Sequence, residues 1–300
     1  MSEPNSDQIV ALQRLNRDIK AAAKTMSTQE ARYLVDLYYQ MQDNRIRAAA
    51  QIRAMTAGET VEPHQTLAWV MSQGETLETS IKNALGVFAA SRKPGAWAQS
   101  ICGIGPVISA GLLAHIDVKR CGCPVYAKKP EAERPAHECK GLSSAGHVFS
   151  YAGLNPAAKW EKGQKRPWNA SLKVLAWKIG QSFVKQSGRE SDFYGKVFLQ
   201  RKAFEVEQNA QGKYADQAAR ILTEKRIGKD TDAYKAYSEG QLPKAHLQAR
   251  AERYAVKLFL SHFHAVSYFD AFGVRAADPY PIAVLGHKDI IPVPNWPFTE

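Results

Sequence analysis

The sequence predicts a mainly α-helical protein, on three observations. Apolar residues recur at spacings of three and four through most of the chain. Residues that start and stop helices stand at the borders of those runs. The first hundred residues contain no alternating or β-branched runs that would read as strands. The expected layout is a helical bundle or coiled arm over 1–95, a second helical domain over 96–272 and an extended Pro-rich tail over 273–300. Within the second domain, 119–141 reads as a loop and about 207–239 as an insertion.

The elements follow in order. Ile9, Leu12, Leu15 and Ile19 lie along one face of a helix from Ile9 to Ala23. Ser27-Thr28-Gln29-Glu30 is a capping box, in which Ser and Glu satisfy each other's free backbone N–H groups. It opens a long helix with the apolar face Leu34, Leu37, Tyr38, Met41, Ile46, Ala49 and Ile52, ended by Gly58. A further helix runs from His64 to about Ser91, and Lys93-Pro94-Gly95 breaks the chain. These helices offer a surface for packing or for assembly of a homo-oligomer. From Ala96 a short helix leads to a tight turn, and a second helix covers Val107 to Ile116. A Cys-, Pro- and Lys-rich loop follows from Lys119 to Gly141, then the glycine-punctuated stretch Phe149 to Pro156 and a basic loop from Lys159 to Trp168. Helices are expected over Ala170–Lys185, Tyr194–Leu222 and Lys244–Phe272, with a polar linker over Gly228–Gly240 that carries a helical turn around Tyr234. There is no internal repeat.

Charge narrows the class of partner. The 300 residues carry 40 Lys+Arg against 29 Asp+Glu, a net charge of +11 and a pI near 9.4. A basic excess suits a polyanion, because Lys and Arg release the counterions condensed on a phosphate backbone. From Ala157 to Lys185 seven basic residues face one acidic residue, so more than half of the excess sits in a tenth of the length. No apolar run approaches the roughly 18 residues needed to span a bilayer. The polar stretch Met1 to Asp18 lacks the apolar core of a secretory signal. The expectation is a cytoplasmic protein without a membrane partner.

Three constellations carry chemistry. Ile101-Cys102-Gly103-Ile104-Gly105-Pro106-Val107, followed by Ser109-Ala110-Gly111, reads as a helix-hairpin-helix. In this reading Ile104 turns inward, Gly103, Gly105 and the amides opening the next helix meet a phosphate, and small Ser109 permits close approach. The second constellation is Cys121-Gly122-Cys123 with His137-Glu138-Cys139. Three thiolates and an imidazole suit a tetrahedral structural Zn2+ site that braces an otherwise polar loop. The third is Lys159-Trp160-Glu161-Lys162-Gly163-Gln164-Lys165-Arg166-Pro167-Trp168, continued by Lys173, Lys178 and Lys185. Its cations suit phosphate, and Trp160 and Trp168 suit stacking on bases or sugars. Cys102 reads as a small core residue, and His115, His147, His262 and His264 as satisfied or surface histidines. No Walker loop, paired-carboxylate set or nucleophile elbow is visible.

The order of these pieces resembles the C-terminal domain of insertion-sequence 110 family transposases and Piv-like DNA invertases. The resemblance rests on Ile104-Gly105-Pro106-Val107, on Phe149-Ser150-Tyr151-Ala152-Gly153-Leu154-Asn155-Pro156, on the Gly163-Gln164-Lys165-Arg166 loop, and on Leu242-Pro243-Lys244-Ala245-His246 leading into the last helix. It spans roughly Ala96 to Phe272. It implies DNA recombination by an RNase H-like domain with four carboxylates and a serine in the C-terminal domain. Two departures change that expectation. The first hundred residues are helical and too short for the sheet, and the serine position corresponds by ungapped count to Trp160. The expected protein is therefore a catalytically silent relative that binds DNA, with RNA as the alternative partner. An active recombinase or nuclease, or a basic structural or inhibitory protein, are the rival classes.

Overall fold

The computed structural model describes residues 17–55, 64–119, 142–277 and 290–299. Among them it contains eleven α-helices and no strand, a mainly α fold. They are α1 (Arg17–Ala22), α2 (Thr28–Met55), α3 (Gln65–Ala90), α4 (Lys93–Gln99), α5 (Pro106–His115), α6 (Ala145–Tyr151), α7 (Ala170–Gln186), α8 (Tyr194–Ala210), α9 (Ala215–Glu224), α10 (Asp232–Ser238) and α11 (Lys244–Phe272). None of the described helices is long and apolar enough to cross a membrane. The chain divides into two compact units, Met1–Gln99 with Gly105–Asp117, and Ser100–Ile104 with Val118–Glu300.

In the first unit the capping box is formed: the Ser27 N–H donates to Glu30 Oε2 at 2.7 Å, and the Glu30 N–H donates to Ser27 Oγ at 3.2 Å. Helices α2 and α3 run antiparallel, fastened by Arg45 on Glu78 at 2.7 Å, and α5 packs against both. Ala31, Val35, Ile81, Leu85, Phe88, Val107, Ala110 and Ala114 form the core. The expected apolar face of α2 reaches beyond it, since Ile46 is 53% exposed. The reason is length: α5 is ten residues, about 15 Å, and covers only the near end of α2, which is about 42 Å long. The expected break at Lys93-Pro94-Gly95 is instead the first turn of α4. Proline is tolerated there because a first-turn N–H has no intrahelical acceptor to lose. The boundary expected near residue 96 also differs, as α5 belongs with α2 and α3.

In the second unit α11 is the spine, packed by α6, α7 and α8. Phe183 of α7, Tyr194 of α8 and Phe259 of α11 meet ring to ring, with centroids 5.0 to 5.5 Å apart. The single helix expected over Tyr194–Leu222 divides into α8 and α9 at Gly212, whose φ of +76° ends one helix before the next begins. The expected polar linker holds α10, capped by the Thr231 hydroxyl on the Tyr234 N–H. Of the Pro-rich tail, 290–299 rests on this unit: Trp296 and Phe298 pack on Phe269, and Asn295 Nδ2 donates to the Ser100 carbonyl.

Candidate nucleic-acid interface

The Tyr-Ala-Gly-Leu-Asn-Pro block is the end of a helix and the start of the basic loop. Ser144 caps α6, and Gly153 closes it at φ +66°, with the Leu154 N–H donating to the Phe149 carbonyl at 2.8 Å. A Cβ at Gly153 would lie 2.8 Å from Lys173 Cδ and 3.0 Å from the Trp168 ring, so only glycine lets those two side chains close over this turn. Asn155 then folds the chain back, accepting from the Ala157 N–H and donating to Ser150 Oγ. At the far end of the loop the Asn169 N–H donates to the Tyr151 carbonyl and Asn169 Nδ2 to the Tyr151 hydroxyl, both at 2.9 Å. Asn169 Oδ1 accepts from the Leu172 N–H and caps α7. Both ends of the loop are thus pinned to the last turn of α6.

The loop is folded on itself as well. The Trp160 indole N–H donates to the Gln164 carbonyl at 2.7 Å, around a turn in which Gly163 takes φ +92°. The Arg166 guanidinium lies 5.0 Å from the Trp160 ring, and Lys173 Nζ lies 4.1 Å from the Trp168 ring. Each is a cation–π contact that holds a charge at the surface without neutralising it. Lys159, Lys162, Lys165, Arg166 and Lys173 are exposed, and among the described residues none pairs with a carboxylate. The one local acid, Glu161, accepts from Gln164. Trp160 is 41% exposed, while Trp168 is half-buried over Gly153. Of the residues expected from 159 to 173, Arg166 meets Trp160 and Lys173 meets Trp168, while Lys159, Lys162 and Lys165 stand exposed on the same loop. Sequence reasoning missed Asn155 and Asn169 as anchors, although an Asn directly before an apolar-periodic run is a readable cap.

The hairpin residues behave differently. Ile104 is buried, as expected. Gly103, at φ +88°, belongs to the second unit; its carbonyl accepts from Ser182 at 2.6 Å, and a Cβ there would sit 2.8 Å from Ser182 Oγ. That face is filled by α7 side chains, which corrects the expectation of an open phosphate cradle at Gly103. Ser109, in the first unit, is fully buried, and its hydroxyl turns back to the Gly105 and Pro106 carbonyls at 3.1 and 3.0 Å. It is buried within the unit and does not face outward as expected. Gly105 is extended, with open space around its Cα, and the helix it precedes starts with Pro106. Cys102 is a half-buried free thiol.

Cys121, Cys123, His137 and Cys139 lie outside the described residues. Among the described residues no group of three or more His, Cys, Asp and Glu is placed to hold a metal ion. His262 and His264 of α11 are buried and bonded. His262 Nε2 donates to the Ile291 carbonyl at 3.1 Å, so its Nδ1 accepts from the Tyr194 hydroxyl at 2.7 Å. Burial lowers its pKa to about 4, against the bond to Ile291. His264 Nε2 donates to the Leu142 carbonyl, and burial lowers its pKa too. No family model matches the chain, and neither a curated protein nor a solved structure matches it.

Proposed function

We propose that this protein binds nucleic acid through the segment from Lys159 to Lys173, as a catalytically silent relative of the insertion-sequence 110 transposases. DNA is the favoured partner on the strength of that resemblance, and RNA the alternative. One observation carries the reading. Five exposed cations without carboxylate partners, two of them on tryptophan faces, ride on a loop tied at both ends to α6 and on the first turn of the helix it leads into. Such a surface meets phosphates without reading sequence, and its affinity falls steeply with salt. Lys162→Ala, Lys165→Ala and Arg166→Ala combined should weaken binding across all sequences. They should also flatten the plot of log affinity against log salt by up to about one unit per lost phosphate contact. Anisotropy titrations of duplex DNA and structured RNA across a salt series measure both; unchanged affinity and slope reject the site.

The silent character rests on Trp160 at the position of the family's serine. Incubation with suicide DNA substrates and magnesium should leave no covalent adduct. Zinc on Cys121, Cys123, His137 and Cys139 completes the proposal. It would act as a brace, since four protein ligands leave no open coordination position for chemistry. Elemental analysis should find about one zinc per chain, and Cys123→Ser should lose it.

A further inference from the structure

The outward face of α7 carries a feature that the basic loop does not account for. Leu172, Leu175, Ala176, Ile179 and Phe183 bury the inner face of this helix. On the opposite side Trp177 is 61% exposed and Val174, one turn before it, is 53% exposed. The helix has three lysines and no acidic residue. Lys173 stands four residues before Trp177, on the same stripe, and its ammonium group already covers the Trp168 ring. The stripe therefore runs Trp168, Lys173, Trp177 without a break, and continues through Lys173 from the loop that carries Trp160. What sets Trp177 apart is its place: an exposed indole beside Val174 on a helix face whose charges are all positive, a combination of ring and cation that suits an anionic partner.

We infer that the ligand of this surface is a single-stranded nucleic acid, with Trp177 as a stacking platform for an unpaired base beside the phosphate contacts of Lys173 and the loop. The inference rests on the nucleic-acid reading above and adds the state of the strand. A duplex offers phosphates and groove edges, and its base faces are stacked on one another. A single strand offers a π-face at every nucleotide, which an exposed indole can take up without sequence preference. The exposed faces of Trp160 and Trp177 match the second kind of ligand. DNA and RNA single strands share this chemistry.

The test uses the full chain with one mixed-sequence oligonucleotide in three forms: single-stranded DNA, single-stranded RNA, and the DNA duplex. At one salt concentration at least one single strand should bind about tenfold more tightly than the duplex, with quenching of tryptophan fluorescence. Whichever single strand binds tighter identifies the source. Trp177→Ala should lower single-strand affinity about tenfold and leave duplex affinity and the salt slope unchanged, because no charge is removed. Trp177→Phe should recover most of the loss. Circular dichroism and the melting temperature should be unaltered in both, as the side chain lies outside the core. Equal binding of duplex and single strands, or a Trp177→Ala protein that binds like the wild type, overturns the inference and leaves salt-sensitive binding standing. Failure of all three probes to bind at low salt rejects the nucleic-acid reading itself.

Discussion

Arg201, Arg250 and Tyr214 surround Glu205, whereas Arg166, Lys173, Trp160 and Trp168 surround no acid at all. The ingredients are alike, cations and aromatic rings, and both groups lie in the second unit. Glu205 is almost wholly buried. Burial alone would raise its pKa, but the bonds from Tyr214, Arg250 and Arg201 outweigh this and lower it. Arg250 stacks on Tyr214 while donating to Glu205, and Arg201 reaches Phe204 and Tyr254. In the loop the same cation–ring contact holds Arg166 and Lys173 with their charges unspent. The difference teaches how to tell a structural cation from one available to a ligand: the carboxylate, not the ring, decides it.

Four experiments would break or sharpen this contrast. The largest effect is expected in the buried cluster. Arg250→Ala removes one of the two guanidinium partners of a buried carboxylate and should cost about 4 kcal/mol in urea unfolding. A loss below about 1 kcal/mol would mean that this cluster, too, behaves as a surface ion pair.

Next comes His262. It stays neutral in the folded protein down to about pH 4, against an ordinary value of 6.5. As pH falls below 6.5 the unfolded chain takes up a proton that the folded chain refuses. Stability is therefore full above that pH and declines towards pH 4, by about 3 kcal/mol from this group. His262→Gln should remove that part of the decline, read as a shallower dependence of melting temperature on pH than the wild type shows.

The loop should give the converse. The protein with Lys162, Lys165 and Arg166 all replaced by Ala should unfold within about 0.5 kcal/mol of wild type, since exposed unpaired cations contribute little to folding. Its nucleic-acid affinity near 0.1 M salt should nonetheless fall by about a hundredfold. A stability loss matching the affinity loss would show that these cations hold the fold.

Gly153→Ala tests the frame of the loop side, because the new methyl would press on Trp168 and Lys173 at a positive φ. About 1–2 kcal/mol of destabilisation is expected, together with a shift in Trp168 fluorescence as its ring is pushed off the turn.

Much of the helical layout was readable because its signals are local. The Ser27–Glu30 box, the apolar periodicity of α7 and α11 and the density of Lys around 159–173 each depend on neighbours within one or two turns. The short helix α6 escaped because seven residues containing Gly146 carry too little periodicity, and the break at Gly212 escaped because its flanks read as helical. The loop residues were legible as a charge run, but their anchors on Ser150 and Tyr151 join residues five to eighteen positions apart through side chains that have many other uses.

What the sequence by itself determined is where helices form and where positive charge collects, since both follow from short-range spacing. Which face of each helix is covered was decided by tertiary structure alone. Ser109 and Trp177 show this most clearly: the small polar residue expected to face a ligand is fully buried with its hydroxyl on the Gly105 and Pro106 carbonyls, while Trp177 stands 61% exposed on a helix whose Leu175 and Ile179 are buried. Periodicity tells a helix that it has sides, but burial needs a second element to arrive, and α5 and α7 meet their partners through contacts across tens of residues that leave no mark in any local window.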